Sequence, residues 1–193
     1  MLEIPIAKLV AGVDEAGRGP LAGSVVAAAV ILGDRFPIPG LTDSKKLSAS
    51  KRQTLELLIK QSALAWAVAE ASIEEIDEIN ILQASLLAMS RAIRQLSPVP
   101  ARILVDGNRV PDLPGFVFQA IVKGDLTEPC ISAASILAKE YRDRKMLELD
   151  RIYPQYQFAR HKGYPTRLHR DLLKQYGVSP VHRRSFKPVS ELL

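Results

Sequence analysis

Apolar residues in this chain change period several times, and each change marks an element. Val25 to Leu32 is an unbroken apolar run of eight residues between Gly23 and Gly33. A short run rich in β-branched residues and closed by glycines predicts a buried strand. Residues 7–14 end a similar run, Leu9-Val-Ala-Gly-Val13, on an acid and predict another. Residues 63–71 alternate weakly through Leu64, Trp66 and Val68, and Arg102–Asp106 and Phe116–Val122 are two further short runs. Elsewhere the period is helical. Leu55, Leu58 and Ile59 share one face of a helix that starts at Ser48. Ser72 with Glu75 spells a capping box for a short helix. Asn80 with Gln83 repeats the pattern for a longer one through Leu82, Leu86, Met89 and Ile93, ended by Pro98 and Pro100. Glu128 to about Leu149 predicts a long helix with Ile131, Ala134, Ser135, Ala138 and Tyr141 in register, stopped by Pro154. Thr166–Tyr176 predicts one more, closed by Gly177. Pro37, Pro39 and Gly40 mark a loop. Strands that alternate with helices predict an α/β fold with a mixed sheet. No repeat, low-complexity tract or linker divides the chain. We expect one domain over 1–193: an α/β core to about residue 138 and a basic helical part over 139–193.

Composition sharpens this picture. With 47% hydrophobic residues in 193, the chain can bury a core, which excludes wholesale disorder. Lys and Arg number 26 against 21 Asp and Glu, a net charge of +5. The excess is local. Residues 139–187 hold 13 basic and 5 acidic side chains, whereas the remainder is net negative. That stretch is either a solvated helical face or a phosphate-binding surface, which would give salt-dependent affinity for nucleic acid. His161, His169 and His182 all lie in it, lack metal-ligand spacing and are counted with the basic surface. A single cysteine, Cys130, excludes a disulfide framework and a cysteine zinc cluster. The longest apolar run, eight residues, falls short of the roughly 20 that span a bilayer. Met1-Leu-Glu-Ile-Pro5 carries an acid and a proline where a secretory signal wants positive charge. A cytoplasmic protein is expected.

The candidate chemistry sits at strand ends. Asp14-Glu15, Asp106 and Asp125 each follow strongly apolar sequence. An ionised carboxylate beside a core is costly unless it is paired or metal-bound. If these strands are neighbours, four carboxylates converge, and a divalent cation relieves their repulsion. Oxygen ligands without a Cys or His cluster suit Mg²⁺ or Mn²⁺ rather than zinc. Each acid taken alone can instead cap a strand or pair with a nearby Lys or Arg. Ala16-Gly17-Arg18-Gly19-Pro20 follows the first pair. Its glycines allow close backbone approach and its arginine offers a fork for phosphate, although an ordinary glycine turn has the same composition. Asp43-Ser-Lys-Lys46 sets two cations before a helix, and Tyr164 lies in a basic loop, His161-Lys-Gly-Tyr-Pro-Thr166. The tyrosine could stack on a sugar or base, or simply anchor the last helix.

In order, the chain carries Val13-Asp-Glu-Ala-Gly-Arg-Gly-Pro20, Asp43-Ser-Lys-Lys-Leu-Ser48, Val105-Asp-Gly-Asn108, Lys123-Gly-Asp125, Ser132-Ala-Ala-Ser-Ile-Leu-Ala-Lys139, His161-Lys-Gly-Tyr-Pro-Thr166 and His182-Arg-Arg-Ser-Phe186. This series closely resembles bacterial ribonuclease HII of the type 2 ribonuclease H family, from about residue 9 to 189. The resemblance implies a ribonuclease H-like mixed β-sheet flanked by helices, with a C-terminal helical extension. It implies hydrolysis of the RNA strand of RNA–DNA hybrids, and incision 5′ to ribonucleotides embedded in duplex DNA, leaving a 3′-hydroxyl and a 5′-phosphate. Asp14, Glu15, Asp106 and Asp125 match the catalytic, metal-binding carboxylates, which would hold two Mn²⁺ or Mg²⁺ ions with substrate bound. Gly17, Arg18 and Gly19 match the loop on the ribose 2′-hydroxyl, and Tyr164 the tyrosine at the scissile junction. Lys46 is assigned to substrate binding with them. Glu140-Tyr141 departs from the family, where an apolar residue commonly follows the lysine; the change bears on helix packing or a phosphate contact. The partners expected are RNA–DNA hybrid and ribonucleotide-containing duplex, with no membrane, no protein partner and a monomeric state. The rivals are a non-catalytic hybrid-binding module and a metal-dependent phosphatase acting on a small molecule.

Overall fold

The computed structural model describes residues 9–33 and 38–193. The chain runs β1 (Val10–Ala16), β2 (Val25–Leu32), α1 (Ala49–Ser62), β3 (Ala63–Ala71), α2 (Ile73–Arg94), β4 (Arg102–Asp106), β5 (Phe118–Ile121), α3 (Gly124–Thr127), α4 (Pro129–Ile152), α5 (Phe158–His161), α6 (Arg167–Tyr176) and α7 (Lys187–Ser190). The sheet order is β3-β2-β1-β4-β5. β1 and β3 run antiparallel to β2, while β4 lies parallel to β1 and β5 parallel to β4. This is the mixed sheet expected.

Helices cover both sheet faces, which explains the unbroken apolar run of β2. Its alternate residues Val25, Ala27, Ala29 and Ile31 pack with Ile76, Ala84, Ala88 and Ile93 of α2. Val26, Ala28 and Val30 face Leu55 and Ile59 of α1 and Ala133, Ala134 and Leu137 of α4. The approach of α4 to β1 is very close. A Cβ at Gly12 would collide with the backbone of Cys130 and Ile131, so only glycine fits there. A third apolar cluster joins Leu21 and Ala22 to Met146, Tyr156, Phe158, Leu173 and Val189, and seats the C-terminal helices on the core. No helix among the described residues is long and apolar enough to cross a membrane.

The capping signals are realised. Ser48, Ser72 and Thr166 accept from the backbone amides of Lys51, Glu75 and His169, and Glu75 completes its capping box by accepting from Ser72 N–H. Asn80 caps its segment from inside α2: its φ is +67°, and its side chain accepts from the amides of Leu82 and Gln83. The two helices expected there are therefore two segments meeting at a kink. Two expectations need correction. The first strand reaches Ala16, so Asp14 and Glu15 lie inside it and not at its end; residues 7 and 8 of the expected span lie outside the described residues, as does Pro37 of the expected loop. The strand expected over Phe116–Val122 shrinks to Phe118–Ile121, and Asp125 stands on the short helix α3. Asp43-Ser-Lys-Lys46, which sets two cations before a helix, forms a 3₁₀ turn over Ser44–Lys46 with Ser44 buried and both lysines exposed.

Candidate active site

Parallel pairing of β1 with β4 brings the acids together. The register sets Val13 opposite Val105, so Asp14 and Asp106 follow side by side where β4 ends. The Asp125 amide donates to Asp106 Oδ1 at 3.3 Å. Ser132, in the first turn of α4, donates its hydroxyl to the Asp125 carbonyl at 2.7 Å and pins that backbone. Asp14 Oδ1 accepts from the Glu15 amide at 2.7 Å, and Ser135 of α4 is its second donor. Ser135 is held in turn by the Ser44 hydroxyl at 2.9 Å.

The electrostatics follow from this crowding. Burial, then the charges of Glu15 and Asp106, push the Asp14 carboxyl well above its usual range. Burial also raises Glu15, against the pull of Arg18, whose guanidinium donates to Glu15 Oε1 at 3.3 Å. Asp125 is raised by burial, by Asp106 and by Asp43, which stands within hydrogen-bonding reach of it. Desolvation lowers the Lys45 ammonium, but Asp43, Asp14 and Asp125 together outweigh it and raise its pKa. Asp43 and Lys45 therefore stand beside the acids; the sequence shows the motif that carries them, but only Lys46 is assigned from it to substrate binding. Lys45 and Lys46, the lysine singled out, are both exposed, and it is on Lys45 that the charges of the acids act. Adjacent residues of a 3₁₀ turn point about 120° apart, so only one of two neighbouring lysines can face the acids. The motif Asp43-Ser-Lys-Lys46 was visible, but not which lysine faces the acids.

Gly17 is buried, with φ at +98°, and a Cβ there would run into the Arg142 side chain, so no other residue fits. Arg18 and Gly19 are exposed. A Cβ on Gly19 would lie 3.6 Å from Tyr164 Cε1, so the glycine loop and Tyr164 line one surface. Tyr164 is 38% exposed and does not pack in the core as an anchor.

The C-terminal basic stretch divides in two. Arg160, Arg167, Arg170, Lys174 and Arg184 are exposed. The histidines, expected on that surface, are instead buried, at 7% exposure for His161, 0% for His169 and 1% for His182. Their rings pack with Tyr156 and Phe158. Burial works because every ring nitrogen has a partner. The Ser179 amide donates to His182 Nδ1 at 3.1 Å, so His182 Nε2 carries the proton and donates to His169 Nε2 at 3.1 Å. His169 Nδ1 then donates to the Tyr164 carbonyl at 3.0 Å. Burial, then a neighbouring ring, holds His169 and His182 down at about 4, so both are neutral near pH 7. Arg183 is also fully buried, which removes it from the phosphate-binding surface. Glu140 is buried and accepts from Arg52 Nε at 2.6 Å, so the departure at 140 is a packed ion pair and not a phosphate contact.

Comparison with known proteins bears on this arrangement directly. The family described as Ribonuclease HII matches residues 11–189. A ribonuclease HII of Vibrio campbellii (strain ATCC BAA-1116) is 60% identical over 186 residues, covering 96% of this chain and 87% of that one. A ribonuclease HII of Marinomonas sp. (strain MWYL1) is 58% identical over 185 residues, covering 96% and 93%. Among solved structures, the ribonuclease H2 from Pyrococcus horikoshii OT3 matches with a TM-score of 0.79 at 29% identity, covering 95% of this chain and 96% of that one. The matched span takes in all four acids, the glycine loop and Tyr164, and with identity this high the chain belongs to the ribonuclease HII family.

Proposed function

We infer that the chain is an endoribonuclease that hydrolyses the RNA strand of RNA–DNA hybrids and incises on the 5′ side of ribonucleotides embedded in duplex DNA, leaving a 3′-hydroxyl and a 5′-phosphate. One observation carries this reading: Asp14, Glu15, Asp106 and Asp125 meet where β4 ends beside β1, and burial with mutual repulsion raises Asp14, Glu15 and Asp125.

The donor set fits a hard divalent cation. The ligands are carboxylate oxygens, and a dication lets crowded carboxyls ionise. Among the described residues, no three Asp, Glu, His or Cys side chains close a metal cage by themselves. A divalent cation there would complete its shell with waters and substrate phosphate oxygens. Asp14, Glu15, Asp106 and Asp125 would hold Mg²⁺ or Mn²⁺, two ions once substrate is present, which would supply Lewis-acid chemistry at the scissile phosphodiester.

The chain's own residues bind and orient. Lys45 sets a positive charge beside the acids, where a phosphate must enter. Arg18 and the glycine-loop amides offer donors to a ribose hydroxyl, which distinguishes RNA from DNA. A polar loop built for that hydroxyl rejects deoxyribose, because its own groups would be left unpaired. Tyr164 presents an exposed aromatic face for the sugar at the junction. Lys46 and the exposed arginines of 160–184 track the backbone, a contact without sequence preference. The test is a gel assay on a duplex with one ribonucleotide, with and without chelator. Incision at that nucleotide, abolished by chelator, is the expected result. Binding without incision at saturating Mg²⁺ or Mn²⁺ would establish the hybrid-binding module instead.

A further inference from the structure

Arg142 and Arg183 are among the largest fully buried side chains, and among the described residues neither is paired with a carboxylate. Two buried cations side by side are expensive. Burial, then the charge of Arg142, pushes Arg183 down to about 9. Apart from the Met146 sulfur, 3.6 Å from Arg142 Nη2, their partners are backbone carbonyls, and almost all of those belong to one loop. Arg183 donates to the carbonyls of Gly17 at 2.6 Å, Arg18 at 3.1 Å, Pro20 at 2.7 Å, Gly23 at 2.8 Å and Ser24 at 3.2 Å. Arg142 donates to Ala22 at 3.1 Å, to Ser24 at 3.3 Å and, from its remaining nitrogen, to Lys162 at 3.0 Å.

A planar peptide makes this grip directional. When a carbonyl points to the guanidinium, the following N–H points away from it. The inward carbonyls of Gly17 and Arg18 therefore turn the amides of Arg18 and Gly19 away from the core, in the part of the loop that is exposed beside Tyr164. The inward carbonyl of Pro20 frees the Leu21 amide, which donates to the Gly163 carbonyl at 2.8 Å. Gly163 immediately precedes Tyr164. Lys162, held by Arg142, lies on the same segment. Backbone pairing closes the unit: the Gly23 amide donates to the Val181 carbonyl, and the Arg183 amide to the Leu21 carbonyl. The two guanidinium groups thus tie the glycine loop and the tyrosine segment into one rigid piece.

We propose that Arg183 and Arg142 are positioning residues for ribose selection, holding the Arg18 and Gly19 amides at a set distance and direction from Tyr164. The proposal rests on the reading that this loop and Tyr164 contact the substrate ribose. It explains why two cations are kept in the core. An apolar replacement would cost less to bury but would leave the loop carbonyls unpaired and the amides free to turn.

The test uses R183K and R142K. Lysine keeps the charge but has three donors on one nitrogen and cannot span five carbonyls as a planar fork does. With enzyme in excess over a duplex carrying one ribonucleotide, single-turnover rate constant and amplitude are measured, together with the Kd of an all-DNA duplex. A displacement of about 1 Å costs on the order of 10²-fold, so R183K should lower the rate constant by roughly 30- to 100-fold. R142K, which loses fewer bonds, should lower it about 10-fold. Amplitude and duplex Kd should stay within about threefold of wild type. A smaller amplitude at an unchanged rate constant means a merely structural role and overturns the proposal. So does an equal loss of rate and duplex affinity. If R183K does not fold, R142K decides alone by the same criteria. If the wild type fails to incise, the proposed function itself falls; if it incises and both variants match it, only this inference does.

Discussion

Asp14→Asn separates the demands of folding from those of catalysis. The amide keeps the shape of the carboxylate, and its oxygen still accepts from the Glu15 amide and from Ser135. What it loses is a negative charge in a site where Asp14 is only 6% exposed and is repelled by Glu15 and Asp106. Two unit charges about 5 Å apart interact with roughly 3 kcal/mol at an effective dielectric near 20. Solvent and salt screen part of that, so about 1–2 kcal/mol remains to be gained. In chelator at pH 7, the variant should therefore unfold later than wild type. A gain of 1 kcal/mol moves Tm by about 2–4 °C in a chain of this size. Saturating Mg²⁺ should reverse the order, because a ligand at about 100 times its Kd adds roughly 2.7 kcal/mol to the protein that binds it. Cleavage of a single-ribonucleotide duplex should fall more than ~10³-fold, the scale of losing a principal electrostatic group. The assays are thermal unfolding with and without Mg²⁺, and kcat/KM. A lower Tm in chelator would mean that Asp14 is a net stabilising group, and a tenth of wild-type activity at saturating Mg²⁺ would remove it from the metal site. Either result refutes the reasoning.

The buried histidines predict acid sensitivity. His169 and His182 are held at about 4 in the fold against 6.5 when free, so the unfolded chain binds more protons between those values and stability falls as pH drops from 6.5 towards 4. Each ring contributes at most about 3 kcal/mol, and less together because they share one hydrogen bond; urea unfolding at pH 7.5, 6 and 5 should show His182→Gln with the shallower slope, and equal slopes would contradict the neutral relay. Tyr164→Ala should lower kcat/KM on a single embedded ribonucleotide far more than on a long RNA–DNA hybrid, which offers many registers; an equal loss with a lowered Tm would make Tyr164 a support of the fold. Glu140→Ala, at a site only 4% exposed, leaves the guanidinium of Arg52 with Asp143 at 3.5 Å and the Ser44 and Leu47 carbonyls, and should cost about 2 kcal/mol in chemical unfolding; a cost under about 1 kcal/mol would show the ion pair to be dispensable.

Much of this molecule is written in short-range sequence. Ser48, Ser72, Asn80 and Thr166 announce helix starts because each bonds amides only two or three residues ahead. The apolar run Val25–Leu32 announces a strand buried on both faces, since nothing polar interrupts either face. The four acids could be nominated because acids beside strongly apolar sequence must find partners. What needed the tertiary structure was which groups meet. Asp14 and Asp106 become neighbours through the parallel register of β1 and β4, set by packing across the whole sheet. Lys45 rather than Lys46 faces the acids because a 3₁₀ turn, held by the Ser44–Ser135 bond, sets its direction. Arg142, Arg183 and the three histidines belong to residue types usually found at or near the surface, so composition placed those singled out there outside the core. They are buried because the fold supplies a partner for their donors and acceptors, in carbonyls and rings far away along the chain. Burial of such groups depends on that satisfaction, which no local pattern encodes.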